Sequence, residues 1–266
     1  MAAVRYYVNL SFSGCGFLGM YHVGSAAAWT EEIAEGRIKI KNALGSSAGS
    51  IIAVALLADI PSEILRSKFL RLASKAEALP GGAFHPKFDI NSIFSRELNE
   101  TLPLDAHEIV SGKLHISITD PKTMKNIIVS QFSTREELIE ALICSCYMPA
   151  FSGYSLPTYC GKVYVDGGFS DNQPIMSDGS PTIKISPFAG KSQIGPQSSD
   201  SRRKMMWKSG GEELEISKRN LKRFICAVSP AKDLEELYQD GYQHTLDFIN
   251  SPEFADCLIK EIPDQV

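Results

Sequence analysis

Gly45-Ser46-Ser47-Ala48-Gly49 sets a serine between two glycines, each two residues away. A sharp strand-to-helix turn that lifts a serine hydroxyl clear of the backbone needs flanking positions without side chains, and G-x-S-x-G supplies them. A serine so presented becomes an acyl-transfer nucleophile once a base takes its proton. Ser47 is the candidate nucleophile, and Gly45, Ser46, Ala48 and Gly49 form its elbow. Upstream, Gly14-Cys15-Gly16-Phe17-Leu18-Gly19 matches the dinucleotide fingerprint G-x-G-x-x-G. That fingerprint expects an acidic residue at the end of the next strand. Here the next strand candidate ends in Leu44 and runs into the serine turn, with no acid. The loop is better suited to exposing backbone N–H groups at a helix start, where they can hold an oxyanion.

Far downstream, Asp166 precedes Gly167 and Gly168, which leave it uncovered by neighbouring side chains. An Asp-Gly-Gly is often only a turn, but Ser47 needs a base. Five histidines compete for that role. Ser47, Asp166 and His244 stand in the chain order of an α/β-hydrolase triad. His244, however, falls within an amphipathic pattern from Tyr242 to Phe248, which reads as a helix face. His22 precedes the nucleophile, and His85, His107 and His115 lie in segments without supporting pattern. Asp166 is preferred to all five.

The elements that must position these residues follow from local pattern. Tyr6 to Phe12 reads as a strand entering the glycine loop, and Phe17 to Ala34 as the helix after it. Ile38 to Leu44 and Ala48 to Ala58 repeat that design around Ser47. Pro61 to Ala78 is predicted helical, and Pro80 to Pro86 a loop. Beyond it a stretch stays unassigned as far as Leu114 to Thr119 and Asn126 to Phe132, which read as paired strands. A helix starts at Ser133-Thr134 and runs to about Tyr147. Lys162 to Val165 and Thr182 to Ser186 are strand candidates, residues 189 to 217 a mobile loop, and Leu234 to Ile249 an amphipathic helix.

Composition narrows the class. The 266 residues are 44% hydrophobic, enough for a sizeable core, and the net charge of −4 offers nothing to a phosphate backbone, so nucleic acid is not expected as a partner. The six cysteines have no zinc or disulfide spacing and read as reduced cytosolic thiols. The first residues lack the apolar run of a signal peptide, so the sequons at Asn9 and Asn99 are read as chance matches. The longest strongly apolar run, Ile51 to Ala58, is far short of the roughly 18 residues that span a bilayer.

Taken together, the three motifs resemble the patatin-like phospholipase family. The phrases L-S-F-S-G-C-G-F-L-G-M-Y-H-V-G, I-C-S-C-Y-M-P-A-F-S-G, Y-V-D-G-G-F-S-D-N-Q-P and I-S-P-F-A-G are similar to its neutral-lipid branch, that of adipose triglyceride lipase and its relatives. The resemblance implies a three-layer α/β/α sandwich with a central, mostly parallel sheet. It also implies a Ser47–Asp166 dyad without histidine, an oxyanion loop at Gly14–Gly19, and no metal or other cofactor. Leu18 stands where plant patatins usually carry a basic residue, which favours uncharged esters, chiefly triacylglycerol, as substrate. Acyl transfer or phospholipase action on the same dyad, and a weakly active lipid-droplet regulatory protein, are the alternatives. An α/β-hydrolase-fold coactivator and protein inhibitors are the partners implied, with a cytoplasmic, lipid-droplet or membrane-surface location. Full-length members of the branch carry a hydrophobic C-terminal targeting region, and this sequence ends at Val266.

The resemblance places the catalytic core in residues 1–190. Residues 191–266 are expected to add a basic loop and a helical part packed on the same domain. Between Asp200 and Arg223 eight basic residues face four acids, and Met205, Met206 and Trp207 interrupt the run. That composition suits an anionic lipid surface as well as a solvated loop. Arg202, Arg203, Lys204 and Trp207 are the candidate contacts.

Overall fold

The computed structural model of the chain describes residues 6–36, 38–149, 152, 155–197, 205–230 and 233–260. Tyr6–Phe12 forms β1, whose residues from Val8 to Phe12 are all fully buried. A strand buried on both faces must be covered by helices on each side, as in a parallel α/β sheet. A 3-10 turn at Gly16–Leu18 leads into α1 (Gly19–Ala34), then β2 (Ile38–Ser46) and α2 (Ala48–Leu57). Because α2 is apolar on nearly every side, it is buried almost throughout. α3 (Ser62–Glu77) turns Leu65, Phe69, Leu72 and Ala76 inward at helical spacing.

The unassigned stretch holds α4 (Ile90–Thr101) and α5 (Ala106–Val110). Only Ile90 and Leu98 of α4 are buried, so its apolar stripe is too thin to read from sequence. Its start is fixed by Asp89, whose carboxylate accepts the Ser92 N–H at 3.1 Å. β3 (Leu114–Thr119) and β4 (Asn126–Val129) make the expected antiparallel pair, and Thr134 caps α6 (Arg135–Ser145).

Three corrections concern the second half. The strand expected at Lys162–Val165 is two elements. Lys162–Val163 (β6) pairs with Thr158–Tyr159 (β5) in a separate ribbon, while Val165–Asp166 (β7) joins the main sheet. Next, β8 is Ile183–Ile185, and the expected mobile loop after it contains the hairpin β9 (Met206–Ser209) and β10 (Glu212–Glu215), with Glu212 and Leu214 buried. Last, an unforeseen helix, α7 (Lys218–Val228), precedes α8 (Leu234–Ile249) and the short strand β11 (Ile259–Lys260).

The main sheet runs β4-β3-β2-β1. Its centre is parallel, with β8 continuing alongside the C-terminal half of β1, and antiparallel strands lie at its margins. α8 packs on α1, where Thr245 Oγ1 donates to Ser25 Oγ at 2.7 Å and Tyr21 Oη lies 2.9 Å from His244 Nδ1. Asn9 is fully buried in β1 and its amide donates to Ser180 Oγ at 2.9 Å, which rules it out as a glycan acceptor in the folded protein. Among the described residues no helix is long and apolar enough to cross a membrane.

Candidate active site

The C-terminal ends of β1 and β2 lie side by side, the position where parallel α/β sheets bind their ligands. β2 ends at Ser46, α2 begins at Ala48, and Ser47 between them has φ 52° and ψ −130°. A serine in this region is strained by about 1–3 kcal/mol, and the surroundings must impose it. They do so through two serines. The Ser47 N–H donates to Ser145 Oγ at 2.9 Å, which itself donates to the Ser117 carbonyl, and Ser50 Oγ donates to the Ser47 carbonyl at 2.7 Å.

The flanking glycines are steric requirements. A Cβ on Gly45 would lie 2.5 Å from Ser50 N, and one on Gly49 2.6 Å from the Phe12 carbonyl carbon. The elbow is thus pressed between its own helix and β1. Gly49→Ala is expected to cost about 3 kcal/mol or more through this backbone overlap, read as a lowered midpoint in urea unfolding. An unchanged midpoint would contradict the packing.

Asp166 arrives beside Ser47 through an arrangement of strands. β2 pairs with β3 as far as Ser117, opposite Ser46, and where β2 leaves, β7 takes over the same edge of β3 with Asp166 opposite Ile118. The Asp166 N–H donates to the Tyr147 carbonyl at 2.8 Å, and Oδ1 accepts the Gly168 N–H at 2.7 Å. Oδ2 is buried and accepts no backbone N–H, and the Ser47 and Ser46 hydroxyls are the groups that face the carboxyl besides Gly168. Burial pushes the carboxyl up to about 6, against the opposing pull of the Ser47 hydroxyl, the Gly168 N–H and the Ser46 hydroxyl.

The glycine loop faces this pair. Gly14 N–H is engaged by the Asn172 carbonyl at 3.2 Å, Leu18 N–H by the Cys15 carbonyl and Gly19 N–H by the Gly16 carbonyl. The candidate oxyanion donors of the Gly14–Gly19 loop therefore narrow to the N–H groups of Cys15, Gly16 and Phe17. Gly16 (φ 54°) has no room for a side chain, because the Ala227 carbonyl of α7 sits against it. Asn172 clamps the loop from below, since its amide donates to the Gly14 carbonyl at 3.1 Å and also to Glu212. Glu212 is buried, accepts from Ser186 Oγ at 2.9 Å, and has its carboxyl pushed up by burial.

Ser47, Asp166 and the glycine loop all line one cavity of about 270 Å³, walled by Ile51, Phe69, Ile90, Phe94 and the α7 residues Phe224 and Val228. Among the described residues no histidine, lysine or arginine lines it. His22 is buried, its Nε2 2.8 Å from the Ser13 carbonyl, and desolvation lowers its pKa to about 4. His244 is held by Tyr21 of α1 and does not line the cavity. Trp207 reaches the cavity rim, while Arg202, Arg203 and Lys204 lie outside the described residues. Among the described residues no group of three His, Cys, Asp or Glu side chains could hold a metal ion.

Sequence reasoning passed over Ser145, Asn172, Glu212 and Cys146, the last a buried thiol beside the Ser47 and Ser50 hydroxyls. Asn172 was within reach, because it lies in the phrase that runs from Tyr164 to Pro174. Glu212 carried no signal, lying in a segment without periodicity.

Fold and site together define a three-layer α/β protein built around a serine elbow. Residues 10–178 match the patatin-like phospholipase family model, and the chain belongs to that family, one of lipid acyl hydrolases and acyltransferases. It is 40% identical over 189 residues to mouse "1-acylglycerol-3-phosphate O-acyltransferase Pnpla3", covering 71% of this chain and 46% of the relative. Human "Patatin-like phospholipase domain-containing protein 2" is 36% identical, over 91% of this chain and 48% of its own length. Human "Patatin-like phospholipase domain-containing protein 4" is 35% identical, over 91% of this chain and 96% of its own length. The chain thus spans about half the length of the first two and nearly all of the third.

Proposed function

We propose that the chain hydrolyses fatty-acyl esters of uncharged lipids, chiefly triacylglycerol, through a Ser47–Asp166 dyad. The observation that carries this is the buried Asp166 carboxyl facing the hydroxyl of the strained Ser47, at the head of an apolar cavity that no histidine lines among the described residues. Ser47 Oγ attacks the ester carbonyl as Oδ2 takes its proton, and the N–H groups of Cys15, Gly16 and Phe17 hold the oxyanion. Asp166 returns the proton to the leaving alcohol, then takes one from the water that splits the acyl-enzyme. A free aspartate, with a pKa near ~3.9, is a poor base, and burial to about 6 makes Asp166 a better one.

The cavity lining supports a neutral ester over a phospholipid. Among the described residues its charged groups are Asp166 and Glu212, both acidic, and Leu18 of the glycine loop is buried and uncharged. The test is hydrolysis of triacylglycerol and phospholipid emulsions by wild type, with Ser47→Ala as the blank. Equal or greater turnover of phospholipid would overturn the substrate assignment. A second reading, transfer of the acyl group to a lipid alcohol, is favoured by the name of the mouse relative. Acylated glycerolipid formed in the same assay would decide for it.

The lipid surface would be met by α7 and the β9–β10 hairpin. Leu221 and Ile225 are 64% and 60% exposed and Trp207 50% exposed, beside the exposed cations Lys218 and Lys222. An amphipathic helix with this composition lies in an anionic interface. The double variant Leu221→Glu, Ile225→Glu is expected to weaken binding to anionic vesicles at least tenfold, measured by co-sedimentation. Undiminished binding would discard this face.

A further inference from the structure

A second, almost wholly apolar cavity of about 60 Å³ lies between α2, α3 and α4, and it shares four wall residues with the active-site cavity: Ile51, Phe69, Leu72 and Phe94. We propose that the two are one acyl-chain channel, in which the inner cavity takes the distal part of a fatty-acyl chain esterified to Ser47 and the rings of Phe69 and Phe94 are the partition between them. This rests on the acyl-ester reading of the dyad and adds where the chain goes and what limits its length.

The three helices carry the same progression. On α2, Ser47 at the N-terminal end is followed by Ile51, which faces both cavities, and then by Val54 and Ala55, which face only the inner one. On α4, Ile90 faces the active-site cavity, Phe94 both, and Leu98 and, just past the helix end, Leu102 only the inner one. On α3, Phe69 and Leu72 face both cavities and Leu65 only the inner one. Steps of three or four residues on each helix keep one face turned to a continuous apolar path. From Ser47 to Ala55 the path runs about 12 Å at about 1.5 Å per residue, the span of an extended acyl chain of roughly ten carbons with C–C bonds of about 1.5 Å.

Charged residues also line the inner cavity. Glu97 of α4 is gripped by Lys68 of α3, with Nζ 2.7 Å away, and by Arg71. Partial burial alone would raise the Glu97 carboxyl, but Lys68, Arg71 and Arg96 together hold it down at about 2. Lys68, Arg71 and Glu97 all belong to the lining, so the ion pairs stand at the cavity wall. This latch ties α3 to α4 beside the inner cavity.

The test uses soluble chromogenic esters of C4 to C16 acids. In wild type, kcat/KM is expected to rise about three- to fourfold per methylene, about 0.8 kcal/mol each, and to flatten near C10. Leu98→Trp and the rim variant Thr101→Trp, which fill the inner cavity, should lower the C10 to C4 ratio of kcat/KM at least tenfold. Phe94→Ala, which removes half the partition, should raise the C16 to C10 ratio. Unchanged ratios in variants that retain the wild-type circular dichroism and melting temperature overturn the channel. Fluorescent polyene fatty acid binding to Ser47→Ala separates this from the hydrolase assignment. If wild type cleaves no ester of any length, the hydrolase assignment fails, and the channel still stands or falls on whether Leu98→Trp weakens fatty-acid binding at least tenfold.

Discussion

Ser47→Ala is expected to abolish ester hydrolysis, with kcat reduced roughly 10⁵-fold or more, as when the serine of a comparable catalytic group is removed. The fold should survive the change. The hydrogen bonds that hold the elbow run from the Ser47 N–H to Ser145 Oγ and from Ser50 Oγ to the Ser47 carbonyl. Both use backbone atoms of Ser47, which alanine keeps. The left-handed φ of 52° also costs alanine about what it costs serine. Melting temperatures should therefore agree within about 2 °C, so that lost activity reports lost chemistry. His244→Ala is the informative companion. Its ring contacts Tyr21 on α1, outside the cavity, and most of the activity should remain. Residual turnover in folded Ser47→Ala would move the nucleophile elsewhere, and an inactive, folded His244→Ala would reopen the triad.

The parts legible in the sequence are those whose cause is local. Gly45 and Gly49 are read directly because the clashes they avoid, with Ser50 and with β1, are intrinsic to any tight serine elbow. β1 and α2 are read because elements buried on nearly every side are mostly apolar, and β2 because its β-forming residues from Ile38 run into the glycine turn. The glycine loop could be separated from a dinucleotide site on sequence alone, since β2 runs straight into Ser47 without an acid. What stayed hidden depends on contacts between distant segments. Nothing near Asp166 says that β7 takes over the edge of β3 at Ile118, yet that handover brings it to Ser47. The β9–β10 hairpin has a two-residue Gly210-Gly211 turn, but the charged residues around it mask the single inward face of Glu212 and Leu214. α7 was hidden by the same basic run, because its apolar face is spent on the cavity rim and on solvent rather than on a core. Asn172 and Ser145 act through two side-chain hydrogen bonds each, to segments distant in the chain, which leave no periodic trace.

Asp166→Asn should remove activity and, unlike most buried substitutions, raise stability near neutral pH. Asparagine keeps an oxygen for the Gly168 N–H but puts an amide donor where Oδ2 stood ready to accept the Ser47 proton, so hydrolysis should fall by at least about 10³-fold. The stability gain follows from the sign of the pKa shift. Burial raises the carboxyl from its ordinary 3.8 to about 6 in the folded protein. Between those values the folded state holds the proton more tightly than the unfolded chain, so folding is progressively destabilised as pH climbs through that window, fully so above about 6. At about 1.36 kcal/mol per pH unit the penalty at pH 7 is on the order of 2–3 kcal/mol, and asparagine removes it. Below pH 4 wild type is itself protonated, and the two proteins should melt together. The same ionisation should give wild-type kcat/KM an acid limb near pH 6. A folded variant that melts lower than wild type at pH 7 would mean that the native site stabilises the carboxylate. The buried charge would then be a structural anchor, and the base that activates Ser47 would have to be another group.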